Sequence, residues 1–481
     1  MLSPSTIESH FNALSPRLNR PPLTLTTVVL HGGALGLLVL LIAQAWEQVG
    51  LFAWAVGLAY IAYDTFLLVF VAIKTWPLRH VSAPSAAMGE RPTLAVLIAA
   101  HNEAGVLAAT VAALAAQQDP PDIIFIADDG STDSTPATMA DAFGILSPPA
   151  IGTSAASSTV PSLRWLRLAH GGKARALNAA LGQIDCDIVL TVDADTILAT
   201  DAIAAMRAAF QREPALVAAT GLLAPICDRS LSGRLFQWFQ TYEYVRNFVS
   251  RFAWMRVNGL LLISGAFAGF RREAVTIVGG FDPECMVEDY ELIHRLHRWS
   301  ADHDLGWKIR VLGECRAMTD APGRLMPFLR QRRRWFGGFL QTQYWNRDMV
   351  GNPHFGMLGT MMLPVKAFDT VQPLFGLSAF ALLIAFVVSG RAFLIGPILA
   401  VMIAKIVIDL TFHFWSIELY RRWSGGATPH SWWRVMLASL IEPFSFQLLR
   451  HLGAAWGWIA FLTGRSTWAK AQRGGILARQ G

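Results

Sequence analysis

The sequence predicts a multi-pass α-helical membrane protein with a doubly wound α/β domain inserted between two groups of transmembrane helices. Three observations predict it. The 481 residues are 53% hydrophobic and 15% charged, against roughly 25% charged in an ordinary soluble domain. Apolar runs long enough to cross a bilayer lie toward both ends of the chain. Between them, over about residues 91–346, short apolar runs alternate with helical stretches, the texture of strands and crossover helices.

Residues 1–22 form a polar N-terminal segment that ends in Pro21-Pro22. The apolar run that follows is too long for a signal peptide. Residues 23–73 read as two transmembrane helices, Leu23 to about Trp46 and about Leu51 to Val71. Arg17 and Arg20 precede the pair, and Lys74, Arg79 and Arg91 follow it. Positive charge at both outer ends places both ends, and the domain between, in the cytoplasm of a plasma (inner) membrane protein.

The domain is expected over residues 91–323. Thr93–Ala100, Ile123–Ala127 and Ile188–Val192 read as buried strands, because their apolar runs are continuous rather than alternating. Val106–Gln117 and Ala174–Leu181 read as the helices between them. Residues 145–162 are rich in Ser, Pro and Ala and are expected to be a mobile surface loop. Residues 324–355 are expected to be interfacial. There, Phe328–Trp345 interleaves aromatic residues with Arg330, Arg332, Arg333 and Arg334, which reads as an interfacial amphipathic helix, some of whose arginines meet lipid headgroups.

Residues 356–463 read as a C-terminal membrane region, with candidate spans at about Pro373–Val388, Ala392–Trp415 and Val435–Leu462. The last carries Glu442, Pro443, Gln447 and Arg450 and is either a kinked span or a broken pair. Three spans would put the short tail, 464–481, outside. Its Arg465, Lys470, Arg473 and Arg479 prefer the inside. A re-entrant piece, or entry of Phe355–Asp369 into the bilayer, would remove the conflict.

Charge and cysteines narrow the function classes. A net charge of +6 suits an anionic lipid surface or an anionic small molecule, and is too weak and scattered for nucleic acid. Cys186, Cys227, Cys285 and Cys315 show no Cys-x-x-Cys spacing, so neither zinc nor a disulfide framework is expected.

Four short signatures carry the chemistry. Asp128-Asp129-Gly130-Ser131 and Asp193-Ala194-Asp195 each end an apolar strand, where ligands bind in open α/β sheets. Asp128, with Glu103 at the end of the first strand, suits a base or ribose. Asp193 and Asp195 suit Mg2+ or Mn2+, since hard divalent ions take carboxylate and phosphate oxygens. Gly171-Gly172-Lys173 at a helix start suits an anion, but it is not a Walker A sequence. Glu288 and Asp289 open a helical pattern, and Asp289 is the candidate general base. In Gln331–Trp335, Arg334 offers a planar fork for a diphosphate, Trp335 a flat face for a sugar ring, and Gln331 hydrogen bonds to hydroxyls or to the diphosphate.

Together, in this order, these signatures resemble the processive membrane branch of the family 2 glycosyltransferases, which includes cellulose, chitin, hyaluronan and poly-N-acetylglucosamine synthases. The resemblance implies a GT-A-like domain and a UDP-sugar donor. It implies Glu103 and Asp128 at the uridine, Lys173 at the diphosphate, and Asp193 and Asp195 at the metal. Asp289 takes the base position of the TED motif beside Glu288, with Val287 where the family often has Thr. Gln331, Arg334 and Trp335 match QxxRW, and Ser264-Gly265-Ala266-Phe267 is similar to the loop that borders the acceptor, here a growing polysaccharide. Only residues 464–481 follow the last span, so no built-in cyclic-dinucleotide receptor is expected. Such control would fall to accessory secretion or regulatory subunits.

Asp64, Lys366, Asp369, Lys405, Asp409, His413 and Glu442 lie in or near apolar spans, where ionisable groups are expected to line a polar path or to pair with each other. Two other functions compete with a polymerase. One is a membrane enzyme that adds a single sugar to a lipid. The other is a non-catalytic assembly or secretion subunit, against which the intact Asp193, Asp195 and Asp289 argue.

Overall fold

A computed structural model describes residues 4–80, 89–426, 431–464 and 476. The chain opens with α1 (Pro4–Leu14), then α2 (Leu25–Gln44) and α3 (Ala55–Thr75). The central domain follows as β1 (Leu94–Ala100), α4 (Leu107–Ala115), β2 (Ile123–Asp128), α5 (Thr135–Phe143), β3 (Gly152–Thr153), β4 (Leu163–Arg167) and α6 (Lys173–Leu181). It continues as β5 (Ile188–Val192), β6 (Thr196–Leu198), α7 (Ala202–Arg212), β7 (Leu216–Ile226), α8 (Leu231–Met255), β8 (Phe267–Arg271), α9 (Arg272–Ile277), α10 (Glu288–Asp302) and β9 (Lys308–Asp320). Then come α11 (Leu325–Trp345), α12 (Leu363–Val388), α13 (Ile395–Trp423), α14 (Trp432–Ile441) and α15 (Phe446–Leu462).

The nine strands form one sheet in the order β3-β4-β2-β1-β5-β8-β7-β9-β6. β4, β2, β1 and β5 are parallel neighbours. β1 and β5 are apolar along almost their whole length and lie between layers of helices, as continuous apolar runs require. The doubly wound reading holds for this half only. β8 pairs antiparallel with β5 and β7, so beyond β5 the sheet is mixed. The antiparallel turn hangs the Ser264–Ala266 loop beside the carboxyl end of β5, where Asp193 donates its N–H to Ala266 O at 3.3 Å.

Residues 145–162 are more ordered than their composition predicts. β3 lies within them and adds an antiparallel edge strand to β4, pairing Gly152 with Arg167 and Thr153 with Leu166. Ile145 and Ser157 are buried, and Ser157 N donates to Leu163 O at 3.1 Å. The edge of a sheet captures even a polar segment through its own unpaired backbone groups.

Among the described residues, four helices are long and apolar enough to cross a membrane: Leu25–Gln44, Gly50–Arg79, Leu358–Val388 and Ile395–Trp423. The span expected from Pro373 begins fifteen residues earlier, and Pro373 sits inside the helix. Neighbouring helices make this tolerable for proline in an apolar setting. Val435–Leu462 is the broken pair of the two alternatives. Glu442-Pro443-Phe444 forms a short 3-10 turn between α14 and α15. Among the described residues, two helices after the domain, rather than three, are long and apolar enough to cross a membrane. The tail's basic residues Arg465, Lys470, Arg473 and Arg479 lie outside the described residues.

α15 packs along α11. A Cβ on Gly453 would sit 2.5 Å from Arg332 Cβ, and one on Gly457 would sit 2.8 Å from Phe336 Cβ. Small residues here let the two helix backbones approach closely. That packing separates Arg332 from any arginines at lipid headgroups. It is 3% exposed, its Nη2 donates to Glu243 at 2.8 Å, and Phe328 and Trp335 flank its guanidinium. It belongs to the protein interior rather than to a lipid surface.

Most ionisable groups of the apolar spans pair with each other. Lys405 binds Asp64 at 2.7 Å and also Asp409, and Lys366 binds Asp369 at 2.7 Å. Arg246 and Arg450 both meet Glu442. A cavity of about 180 Å3 remains among α3, α12, α13 and α15, lined by Tyr60, Asp64, Lys405, Asp409, Gln447 and His451 among apolar neighbours.

Candidate active site

The site grows from the carboxyl ends of the parallel strands. β2 ends on Asp128, which is 1% exposed and accepts the N–H of Ser131 at 2.9 Å. Glu103, also buried, follows β1, and its backbone N–H donates to Thr135 Oγ1 at 2.8 Å. β1 and β2 pair Ala100 with Asp128, so both acids belong to one crevice end of the sheet.

Asp129, to which the sequence assigns no role of its own, organises the next segment. Its carboxylate accepts the N–H groups of Gly171 at 2.7 Å and Gly172 at 2.9 Å and meets His170 Nδ1 at 2.8 Å. Lys173, the first residue of α6, is thereby held over the crevice. The second Asp of Asp128-Asp129 was the available signal for this, but only the fold shows which backbone it faces.

Lys173 joins two motifs that are far apart in sequence. Its Nζ lies 2.8 Å from Asp193 Oδ1 and 3.0 Å from Glu288 Oε1. Burial alone would lower this ammonium. Asp193 and then Glu288 outweigh burial and hold it above the usual lysine range. Asp193 keeps a third of its side chain exposed, while Asp195, two residues on, is 7% exposed. Two carboxylates at one strand end form the hard oxygen set that suits Mg2+ or Mn2+.

Asp289 sits in the first turn of α10, partly buried. Its Oδ2 accepts the N–H of Gly265 at 2.7 Å and its Oδ1 accepts its neighbour Tyr290's N–H at 2.8 Å. Burial, and then the charge of Glu288, raise its carboxyl above the usual range. A Cβ on Gly265 would lie 3.0 Å from Asp289 Oδ2, so glycine is what allows the loop amide to reach the acid. Ala266 is 9% exposed beside it. Phe267 has no exposed surface and its ring packs against Gly221, so its contribution is to seat the loop, not to touch a ligand.

α11 carries the last motif. Arg334 Nη1 donates to Met286 O at 3.1 Å, tying α11 to the segment that leads into Glu288. Trp335 is partly exposed, with the Arg332 guanidinium 4.4 Å from its ring. Gln331 Oε1 is buried with no hydrogen-bond partner.

Arg251 on α8 is a residue the sequence reading missed. Its Nε and Nη1 are buried without hydrogen-bond partners, and its guanidinium lies 4.6 Å from the Phe248 ring. Burial lowers it to about 10, opposed by the nearby charge of Asp289. A lone Arg in an aromatic helix carries no sequence signal. Only the fold brings it near Asp289.

Comparison with known proteins agrees with this geometry. The model of the family described as "Glycosyltransferase like family 2" matches residues 92–338, just over half the chain. Poly-beta-1,6-N-acetyl-D-glucosamine synthase of Staphylococcus epidermidis is 27% identical over 248 residues, 51% of this chain and 54% of that protein. Beta-monoglucosyldiacylglycerol synthase of Trichormus variabilis is 25% identical over 335 residues, 67% of this chain and 64% of that protein. The matched stretches thus span between about half and two thirds of these relatives' lengths. A mannosyltransferase from Pyrobaculum calidifontis, solved with GDP-Man and Mn2+, shares the fold at a TM-score of 0.52 and 19% identity, over 81% of this chain and 99% of that one. With a GT-A-like sheet, acidic clusters at its strand ends and a family match over more than half its length, this chain belongs to the family 2 glycosyltransferases.

Proposed function

We propose that this chain is a processive inverting glycosyltransferase. It would polymerise a UDP-sugar, glucose or N-acetylglucosamine, into a β-linked polysaccharide and pass the product across the membrane. The observation that carries the reading is the placement of Asp289. A single acid with a raised pKa stands beside the Lys173, Asp193 and Glu288 cluster, and its oxygens are aimed by the amides of Gly265 and Tyr290.

One base suits a single displacement. Asp289 takes the proton of an acceptor hydroxyl as that oxygen bonds to the anomeric carbon. The bond from that carbon to the diphosphate breaks, and UDP leaves with the electron pair. Lys173 and Arg334 are the cations at hand for the departing diphosphate, with Gln331 offering a polar side chain. Glu103 and Asp128 would hold the nucleoside. Asp193 and Asp195 would hold Mg2+ or Mn2+, which offsets charge on the same diphosphate. Trp335 would carry the acceptor sugar, bordered by Gly265 and Ala266.

Basic residues on either side of the first two spans support a cytoplasmic site. The cavity among α3, α12, α13 and α15 supports a polar route for the product, and secretion or regulatory subunits would be its partners. A second reading, transfer of one sugar to a lipid, is favoured by the pairing of Lys405 with Asp64 and Asp409. Groups that satisfy each other need no path.

The test uses purified protein in nanodiscs with Mg2+ or Mn2+, offered UDP-glucose or UDP-N-acetylglucosamine. UDP release is followed and the product is sized after glycosidase digestion. A long digestible polymer supports the first reading and a glycolipid the second. No UDP release with either donor overturns both.

A further inference from the structure

Asp289 is held by α10, and α10 is launched from the turn Gly279–Asp282. Gly279 and Gly280 have φ of +89° and +68°. Two consecutive left-handed glycines specify their own conformation weakly, because glycine visits many others at little cost. Something outside the turn must fix it.

Three elements do. From α6, Asn178 grips Phe281 twice, accepting its N–H and donating to its carbonyl, both at 2.8 Å. From α10 itself, Arg295 donates to Gly280 O at 2.7 Å and to Val278 O, and is tied to Glu291 at 2.7 Å, two residues past Asp289. The third element is α1. Phe11 lies so close that a Cβ on Gly279 would sit 2.3 Å from its backbone nitrogen, and Ile7 would stand 3.0 Å from a Cβ on Gly280. Phe11 also lies 5.3 Å beneath the Arg295 guanidinium. Arg17, just past α1, binds Asp282 at 2.9 Å, and that carboxylate has no exposed surface.

We propose that α1 and Arg17 are a positioning clamp for the catalytic base. They hold the Gly279–Asp282 turn in the one conformation that sets α10, and hence Asp289, against Gly265. The clamp rests on the reading of Asp289 as base. Residues 15–24 connect it directly to α2, so the seat of the first apolar helix is linked to the base through one short stretch of chain. Phe11 and Arg17 are positioning residues, and neither faces the strand-end crevice.

The experiment uses the full chain in nanodiscs and four variants, Phe11→Ala, Phe11→Leu, Arg17→Met and Arg17→Lys. Backbone hydrogen exchange is measured over residues 279–292 and over the β1, β2 and β5 strands. UDP release gives kcat and the donor KM. Phe11→Ala and Arg17→Met are expected to speed exchange over 279–292 by about tenfold or more while the strands stay protected. They should lower kcat by about tenfold with donor KM within about twofold, as small misplacement of a catalytic group does. Phe11→Leu and Arg17→Lys should stay near the parent in both. Unchanged exchange over 279–292 overturns the clamp. So does acceleration spread equally over the strands, which would mean a merely structural role. If the parent releases no UDP, the proposed function fails while the exchange data still decide whether α1 fixes the turn.

Discussion

At the residue scale, the site is a set of charges whose positions matter more than their number. Asp289→Asn keeps the shape of the side chain but only one of the two oxygens that accept the Gly265 and Tyr290 N–H groups, and it cannot take a proton. It is expected to lower kcat by about 10²–10⁴-fold while donor KM holds, measured by UDP release. The acid pair also makes a pH prediction. Burial and then Glu288 raise the Asp289 carboxyl, and the base works only when ionised, so activity should fall as pH drops through this raised value. Glu288→Gln removes the like charge. The acid limb of the kcat/KM profile should then move to lower pH, even if the maximum rate falls through loss of the Lys173 contact. A limb that stays in place would mean that another group controls it. Asp128, Asp193 and Asp289 were legible in sequence because acids at strand ends and helix starts leave a pattern. Asp129 and Arg251 were not, since Asp129 meets the backbone of Gly171 and Gly172 and the acid near Arg251 is Asp289, both on distant segments.

At the element scale, α11 and α15 show how a motif helix is held. Gly453 and Gly457 leave no room for larger groups between the two backbones. Gly457→Leu is expected to destabilise the fold by about 1–3 kcal/mol through overpacking, read as a fall in the thermal midpoint in detergent. Donor binding should weaken as well, because Arg334 and Gln331 ride on α11 and only the other donor contacts draw on the sheet end. The same scale explains two misreadings and decides one open alternative. Pro373 looked like a helix start and lies inside one. Residues 145–162 looked like a loop, yet an edge strand claims part of them. Val435–Leu462 read as a kinked span or a broken pair, and the turn at Glu442-Pro443-Phe444 makes it the pair. Local composition reports propensity, and neighbours in space decided each case.

At the scale of the whole molecule, charges in the apolar helices tie the membrane part together. Lys405 stands between Asp64 on α3 and Asp409 on α13. Lys405→Met would leave two acids facing each other in a poorly hydrated place. Breaking such a pair costs about 3–5 kcal/mol, so the thermal midpoint in detergent should fall clearly. Adding Asp64→Asn and Asp409→Asn should restore much of it. A Lys405→Met protein with the parent's midpoint would show that the groups are hydrated and line a wet path instead of serving as a brace. The clamp by α1 belongs to this scale too, since it links the two apolar helices before the domain to a turn some 270 residues later, as Arg17 reaches Asp282.

By itself the sequence determined the class of the protein, the three central strands, the apolar helices on both sides and the order of the four acidic and basic signatures. These are local properties, written in the periodicity of apolar residues and in the chemistry of short motifs. Only the tertiary structure decided that Lys173 bridges Asp193 and Glu288, that Gly265 aims Asp289, that Arg332 is interior, and that α1 holds the turn before α10. Each of these is a contact between segments distant in the chain. No pattern within one segment encodes its partner, because the partner is chosen by the packing of the whole.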